Sequence, residues 1–537
     1  MIWFLALGLR LYGINWDQGQ HLHPDERFLT MVATDISLPH SIGEYFDGQK
    51  SPLNPYNYQQ YQFFVYGTLP MFVTKAVAVV LDMDNYEQLV LVGRGMSAIT
   101  DSLNVWWIFA LGGWMGALVY AVMVLPLQLA HFWAVDTFVT FFLGVALWTG
   151  WQWTKRRQLS WMILTGVVWG LALASKITAV YFAPIIGLLL VINLRKDWRQ
   201  TVAGGLVFGI MGVLVFRICQ PYVFVDGWQI EPRFVTNLKE LTRLSTPSIW
   251  FPPSIQWIGK ARWLFPFQNI VLWGFGLGGT GLFVLGLKGW VGGAGRGYMK
   301  WLLLGWIVGL WLVQGAMPAH TMRYFLPIYP ALAIVAGQAR WRWGKVFLIG
   351  HLLWGLAFLG IYQQEHSRVQ ASRWIDDNVW EGAVISAEYW DDALPLAIGE
   401  NQYTTVYLEV FAPDSIEKWQ RMGEGLEMTD YVAMSSNRAW GSVGKLPDLF
   451  PESVKYYSDW FANREDLVYQ RQVYPNISWP MAGKCLYLGP TDYPGKEINW
   501  LEIKSCDRVG LYIRDDMAEE AFTVYDHPQV FIWRNRR

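Results

Sequence analysis

The densest concentration of reactive side chains is His21-Leu22-His23-Pro24-Asp25-Glu26-Arg27. It comes shortly after a first apolar run, residues 1–14, and so lies at or just outside a membrane edge. Imidazoles and carboxylates at that depth are costly to desolvate unless they have work to do there. The work they suit is a carboxylate that takes a proton from a hydroxyl or an amine. A solvated loop with a proline turn is the plain structural alternative. Other ionisable groups fall within or at the ends of apolar segments: Arg94, Asp101, His131, Asp136, Lys176, His320 and Arg323. Carboxylates early in the chain, with Lys and Arg at later helix ends, fit a substrate with an anionic head at the membrane surface. Asp101 is better read as a hydrogen-bonding residue inside a bundle.

Each of these has a structural reading beside the chemical one. Lys176 sits between two short apolar runs, where a lysine snorkels to the interface. Asp136 opens a run and suits an N-cap, and Arg323 suits a helix-end anchor. His21, His23 and Asp25 are ligand types for zinc. Their spacing across a proline is not a usual ligand pattern, so no metal site and no cofactor are expected, with a divalent ion as the lesser alternative.

These residues need a membrane scaffold. The chain has 537 residues, is 53% hydrophobic with 33 Trp, and is only 16% charged, against about 25% for soluble domains. Indole suits an interfacial surface, being apolar with one polar edge. A net charge of -1 gives no field that would draw nucleic acid. Three Cys exclude a disulfide-dense scaffold; Cys485 and Cys506 would be able to pair in an oxidising compartment. No cleavable signal is expected. The first run is short for a span of about 20 residues, as though its helix began earlier.

Eleven crossings are expected: 1–14, 94–112, 114–132, 137–153, 161–175, 177–194, 202–218, 269–287, 301–316, 324–338 and 346–362. Helices are the economical way to satisfy backbone in lipid. The basic loops Lys155–Arg157, Arg195–Arg199, Lys288–Lys300 (with Arg296) and 340–345 (Arg340, Arg342, Lys345) are placed inside by the positive-inside rule. The His23–Glu26 cluster, Asp136, Lys176 and Arg323 then fall outside, and 63–81 reads as a re-entrant or juxtamembrane helix. A twelve-crossing arrangement would separate the acidic cluster from the tail. The organisation expected is a transmembrane domain over 1–363, its first extracytoplasmic loop over 15–93, and a soluble extracytoplasmic α/β domain over 366–537. In that tail 384–387, 404–408, 431–434, 485–488 and 530–533 read as strands, and 372–378 and 415–422 as helices. Asp391-Asp392 reads as a solvated turn, with a role in acceptor binding as the lesser alternative.

Four stretches carry a family resemblance. Leu9-Arg10-Leu11-Tyr12-Gly13 followed by His23-Pro24-Asp25-Glu26 resembles the opening of GT-C superfamily membrane glycosyltransferases, in particular the protein O-mannosyltransferase and aminoarabinose-transferase-like group. His131-Phe132-Trp133-Ala134-Val135-Asp136 resembles that group's acidic helix opening. Gly170 through Ser175-Lys176 resembles its helix ending in lysine. Arg323-Tyr324-Phe325-Leu326-Pro327-Ile328-Tyr329-Pro330 resembles its late Arg-Tyr-x-x-Pro-x-x-Pro helix. Together they cover roughly residues 1–363.

The resemblance implies inverting transfer of a sugar from a polyprenyl-phosphate carrier to a lipid, glycan or protein acceptor outside the plasma membrane. The carrier phosphate is already a good leaving group, so one carboxylate base is the main need, unlike the two of a glycosidase. Asp25 matches the base, and Glu26 would orient the acceptor or tune Asp25. Lys176, Arg323 and then Arg94 would hold the donor phosphate, Arg offering a planar fork. His23, His131, Asp136 and Tyr324 would contact substrate. A transporter or flippase for a lipid-linked sugar would want mid-bilayer polar groups and internal symmetry, and no repeat is seen. A non-catalytic envelope-assembly protein would leave the acidic cluster and Lys176 without a role.

Overall fold

The computed structural model describes residues 1–225, 227–292, 297–339, 342–478, 484–491, 499–506 and 509–536. Arg296 and Arg340, two of the residues used for orientation, lie outside them. The chain divides into two compact units. One comprises Met1–Ile14, Pro24–Arg243 and Arg262–Gly355, and the other Asn15–His23, Leu244–Ala261 and Leu356–Arg537. The second unit therefore takes in two stretches from well before the tail.

The first unit is built almost wholly of helices. Among the described residues five helical runs are long and apolar enough to cross a membrane: Tyr86–Ala121, Ile177–Leu194, Trp198–Cys219, Met299–Ala316 and Arg342–Asn378. A sixth is the pair Leu264–Gly274 and Gly276–Val291, bent by 105°. The bend follows from a π-helical turn at Ile270–Gly274 and a positive φ of 75° at Gly276. A side chain at Gly276 would also run into the Trp354 ring. Shorter apolar helices are Ile2–Leu11, Thr68–Val80, Leu159–Ser175 and Met322–Ala336.

The expected spans 94–112 and 114–132 are displaced. The helices there are Tyr86–Ser102, Asn104–Ala121 and Val124–Ala130. Hydropathy locates apolar mass but not helix starts. Here the start is set by Asn85, whose side chain accepts from Gln88 N, a normal N-cap that precedes the apolar part. Asp101 is a bundle residue, as its sequence context indicated. Arg10 Nε lies 2.5 Å from its Oδ2, Tyr120 Oη donates to its Oδ1 at 2.7 Å, and Arg10 also donates to Ala121 O. The Arg10 of the opening motif thus pins Ile2–Leu11 to Tyr86–Ser102 and Asn104–Ala121.

The second unit carries two sheets. In the five-stranded one the order is Thr404–Leu408, Val384–Glu388, Tyr431–Met434, Val530–Arg534, Leu467–Arg471. The first three strands are parallel, and Val530–Arg534 runs antiparallel to both of its neighbours. Helix Ile416–Met428 follows the edge strand, and its amphipathic spacing lays Met422 into a core with Leu408, Phe450 and Phe531. The second sheet is four-stranded, ordered Asn476–Ser478, Gly510–Ile513, Cys485–Thr491, Asn499–Lys504. Cys485 and Cys506 are joined across it, with Cα atoms 5.8 Å apart. All five expected strands are present. Leu467–Arg471, Asn476–Ser478, Asn499–Lys504 and Gly510–Ile513 are further strands beyond those five.

Asp391-Asp392 is not a solvated turn. Asp391 is buried against Arg368 Nη2 at 2.7 Å, and Asp392 holds Nη1 at 2.7 Å. A charged pair of residues looks solvated until its partner, 23 positions away, is placed beside it. Two other buried groups make this unit sensitive to alkali. Burial pushes Glu388 up to about 8, with the Tyr457 hydrogen bond opposing and Asp391 reinforcing. Burial would lower His527, but Asp526 and Asp515 outweigh it and hold the imidazole up to about 10. Both groups bind a proton more tightly folded than unfolded. Their stabilisation is complete below the unfolded values and fades as pH rises through 8 and then 10. Thermal melting followed from pH 7 to 10 is expected to show a falling midpoint, and His527→Gln to flatten the upper part of that fall.

Candidate active site

Helix Pro24–Asp35 starts on a proline, whose fixed φ suits the first helical position. Asp25 and Glu26 therefore stand in the first turn, at the positive end of the helix dipole. Consecutive residues project about 100° apart around a helix, and the two carboxylates meet different neighbours.

Glu26 points into the protein. It is fully buried, with Oε1 2.5 Å from Arg94 Nη2 and Oε2 accepting from Arg94 Nε at 2.9 Å and Trp133 N at 2.8 Å. Arg94 Nη1 donates to Ile14 O at 2.9 Å. This is a bidentate pair in which both ions are removed from water, and breaking it is costly. Neighbouring Gly93 has no room for a side chain against the Trp133 ring, so the helix bearing Arg94 lies directly on the turn that Glu26 caps. The expectations that Arg94 binds donor phosphate and that Glu26 orients an acceptor do not fit this burial. Neither side chain reaches a surface.

Asp25 is partly exposed, at 21%. Its Oδ2 lies 2.6 Å from Arg323 Nη1 and its Oδ1 accepts from Tyr66 Oη at 2.9 Å. Burial and then the Asp25 charge push the Tyr66 phenol well above its ordinary value. Tyr66 therefore stays protonated and acts as a donor that fixes the carboxylate. Nothing in the sequence marked it; only the fold brings residue 66 to residue 25. Arg323 follows Thr321, whose side chain caps the short helix Met322–Ile328.

A second ion pair adjoins the first. Lys176 Nζ lies 2.7 Å from Asp136 Oδ1. Lys176 ends helix Leu159–Ser175 with extended backbone, and Asp136 stands in the first turn of Val135–Arg156. The Tyr324 ring joins the two pairs, with Lys176 Nζ 4.5 Å and Arg323 Cζ 5.5 Å from its centroid, both within cation–π range. Asp25, Tyr66, Arg323, Tyr324, Lys176 and Asp136 thus form one cluster, drawn from five separate stretches of chain. It holds one reachable carboxylate and two cations, the elements needed to accept a proton while neutralising a departing anion.

Two other expected substrate contacts are elsewhere. His131 is fully buried, its ring nitrogens 2.7 Å from Leu127 O and 2.8 Å from Tyr12 O, and so ties two backbone segments together. His23 belongs to the second unit, where its ring stands edge-on to Tyr525 at 4.5 Å. Both are buried, which does not fit a direct contact with substrate. Among the described residues no three His, Cys, Asp or Glu side chains are grouped to hold a metal ion.

Gly67 sets the spacing of the cluster. A Cβ there would lie 2.1 Å from Ser175 O and 2.3 Å from Ala174 O, and backbone cannot swing away as a side chain does. Gly67→Ala is expected to push Tyr66 and Lys176 apart. The overpacking cost is about 1–3 kcal/mol, read as a lower melting temperature in detergent together with a lower turnover. Wild-type melting in that variant would contradict the close approach.

An apolar cavity of about 560 Å³ lies in the same unit. Phe267, Phe275, Trp311, Ile328 and Leu332 line it, with Arg262 as its charged member.

Residues 92–223 match the family described as dolichyl-phosphate-mannose-protein mannosyltransferase, and the resemblance read from the motifs is borne out. The matched segment contains the Asp136 and Lys176 stretches but not those of Asp25 and Arg323. Among curated proteins no match is found. The oligosaccharyltransferase of Archaeoglobus fulgidus, solved in complex with Zn and sulfate, is 12% identical, with a TM-score of 0.46 over 80% of this chain and 70% of its own. ArnT from Cupriavidus metallidurans, solved bound to undecaprenyl phosphate, is 15% identical, with a TM-score of 0.40 over 66% of this chain and 71% of its own. At that distance no residue is carried across from either.

Proposed function

We propose that this chain is a membrane glycosyltransferase that moves a sugar, with inversion, from a polyprenyl-phosphate carrier to a lipid, glycan or protein acceptor on the extracytoplasmic side. The observation that carries the reading is the cluster around Tyr324, where a reachable Asp25 carboxylate adjoins the cations Arg323 and Lys176. The match of residues 92–223 to a family of lipid-phosphate-sugar transferases supports it.

In this reading Asp25 accepts the acceptor proton as the acceptor oxygen attacks the anomeric carbon. The bond from that carbon to the carrier phosphate breaks, and the phosphate leaves as a monoester. Arg323 holds Asp25 through Nη1 and brings its positive charge to the departing phosphate. Lys176 supplies a second positive charge, with Asp136 fixing its position. Tyr66 keeps Asp25 oriented, and the Tyr324 ring holds both cations apart at a set spacing. Positioning and charge stabilisation supply most of the rate. The cavity lined by Phe267, Trp311 and Leu332 suits the apolar tail of a carrier. No metal or cofactor enters this reading.

The test is a transfer assay in detergent with a panel of short-chain polyprenyl-phosphate hexoses and pentoses, and lipid, glycan and peptide acceptors. Release of polyprenyl phosphate coupled to a glycosylated acceptor of inverted anomeric configuration is the expected result. A retained configuration, or binding of donors without transfer to any acceptor class, would overturn it.

A further inference from the structure

The second unit carries an open pocket of about 550 Å³ with an unusual lining. Small-ligand sites span about 300–1,000 Å³. Trp250, Phe251, Tyr389, Trp390 and Tyr407 form its walls, and Glu409 is its charged member. Four of these rings are offered to solvent: Trp250 is 79% exposed, Tyr407 58%, Tyr389 54% and Trp390 43%. Isolated exposed apolar residues need no explanation, but four aromatic rings around one concavity do.

Three of the rings pack on one another. Trp390 stands between Phe251 and Tyr389, edge-to-face with each, at centroid distances of 5.7 Å and 6.0 Å. Its backbone has a φ of 76°, a conformation that a bulky residue adopts only when its surroundings impose it. The imposing contacts are visible. Arg438 donates through Nη1 to Trp390 O at 2.5 Å and is itself anchored to Glu520 at 2.9 Å. Strain is thus accepted at a position that places an indole in the pocket wall. The rim charge is balanced. Glu409 is paired with Arg421, whose Nη2 lies 2.8 Å away. Such a pair offers acceptors and donors side by side with no net charge to attract an ion.

We infer that this pocket is a binding site for a neutral saccharide. A pyranose ring has one face of weakly positive C–H bonds, which stacks on an aromatic π face, and a belt of hydroxyls that both donate and accept. Trp250, Trp390 and Tyr407 supply faces, and Glu409 with Arg421 supplies the partners for hydroxyls. Tyr407 lies on the edge strand Thr404–Leu408, with which an extended peptide would pair through its backbone. The exposed rings and the charge-balanced rim favour a saccharide, and peptide competition is the arm of the test that separates the two. The inference does not depend on the transfer chemistry at Asp25, because binding is read directly.

The experiment uses the full chain in lipid nanodiscs, since glucoside and maltoside detergents would themselves compete. Neutral manno- and gluco-oligosaccharides, from di- to tetrasaccharides, are titrated by calorimetry and tryptophan fluorescence. Saturable binding is expected, weakened about tenfold or more by Trp250→Ala and by Tyr407→Ala. Both side chains are exposed, so melting should be unchanged, and Trp250→Phe should restore part of the affinity. Uronic-acid oligomers should compete poorly. Absence of saturable binding across the panel, binding that neither variant weakens, or competition by peptides where sugars fail would each overturn the inference.

Discussion

Asp25→Asn is expected to lower kcat/KM for sugar transfer by about 10³-fold while the protein remains folded and inserted in the membrane. A positioned general base contributes 10²–10⁴-fold, and the amide keeps the shape of the carboxylate while losing its basicity. The structural cost should be small. Asp25 and Arg323 are each about one-fifth exposed, and pairs near a surface contribute about 1 kcal/mol or less. Tyr66 Oη can still donate to the amide oxygen. The signature is therefore a collapse in rate with nearly unchanged melting and unchanged donor affinity. Asp25→Glu, which restores the charge one methylene further out, should recover part of the rate. Normal turnover by Asp25→Asn would remove the proposed base. An Arg323→Lys companion separates the roles: it keeps the charge but loses the fork, and should raise KM for the donor as well as lower kcat.

The second large effect concerns stability. Arg94→Ala is expected to destabilise the first unit by about 3–5 kcal/mol, the cost of leaving a buried charge without its partner. Glu26 would keep the Trp133 N–H, its partner in the turn, but lose both guanidinium contacts in a site closed to water. The check is thermal melting in detergent, with donor affinity measured in parallel on whatever folds. A fall in melting temperature with unchanged donor KM supports a structural pair. A raised KM at unchanged melting would restore Arg94 to the donor phosphate. The double variant Arg94→Met with Glu26→Gln should recover part of the loss, because removing both charges removes the desolvation penalty together with the attraction.

These two variants separate residues that look alike in the sequence. Asp25 and Glu26 are adjacent, acidic and in the same motif. Composition and spacing identify the pair but cannot rank it. One helical step sends Glu26 into a closed site against Arg94 and leaves Asp25 at a surface with Arg323. Arg94, read as a phosphate ligand for its chemistry, is withdrawn for the same geometric reason. His131 is lost to backbone hydrogen bonding, and His23 to packing against Tyr525. Lys176, Arg323, Asp136 and Tyr324 do come together with Asp25.

The sequence by itself determined much. Long apolar runs, sparse charge and abundant tryptophan require a helical membrane region, because lipid offers the backbone no other partner. Short runs rich in β-branched and aromatic residues in the tail located five strands. Tyr431–Met434 and the apolar part of Val530–Arg534 are buried along their length and so need not alternate. Motif order carried a family resemblance, which the match of residues 92–223 bears out. Tertiary structure decided the rest. Burial depends on which partners are brought near, and that information is spread over positions such as 66 with 25, 94 with 26, and 368 with 391. A residue's chemistry is local in the chain, while its access to water and its counter-ion are not. The fold therefore decided which of several equivalent charges is left open to solvent.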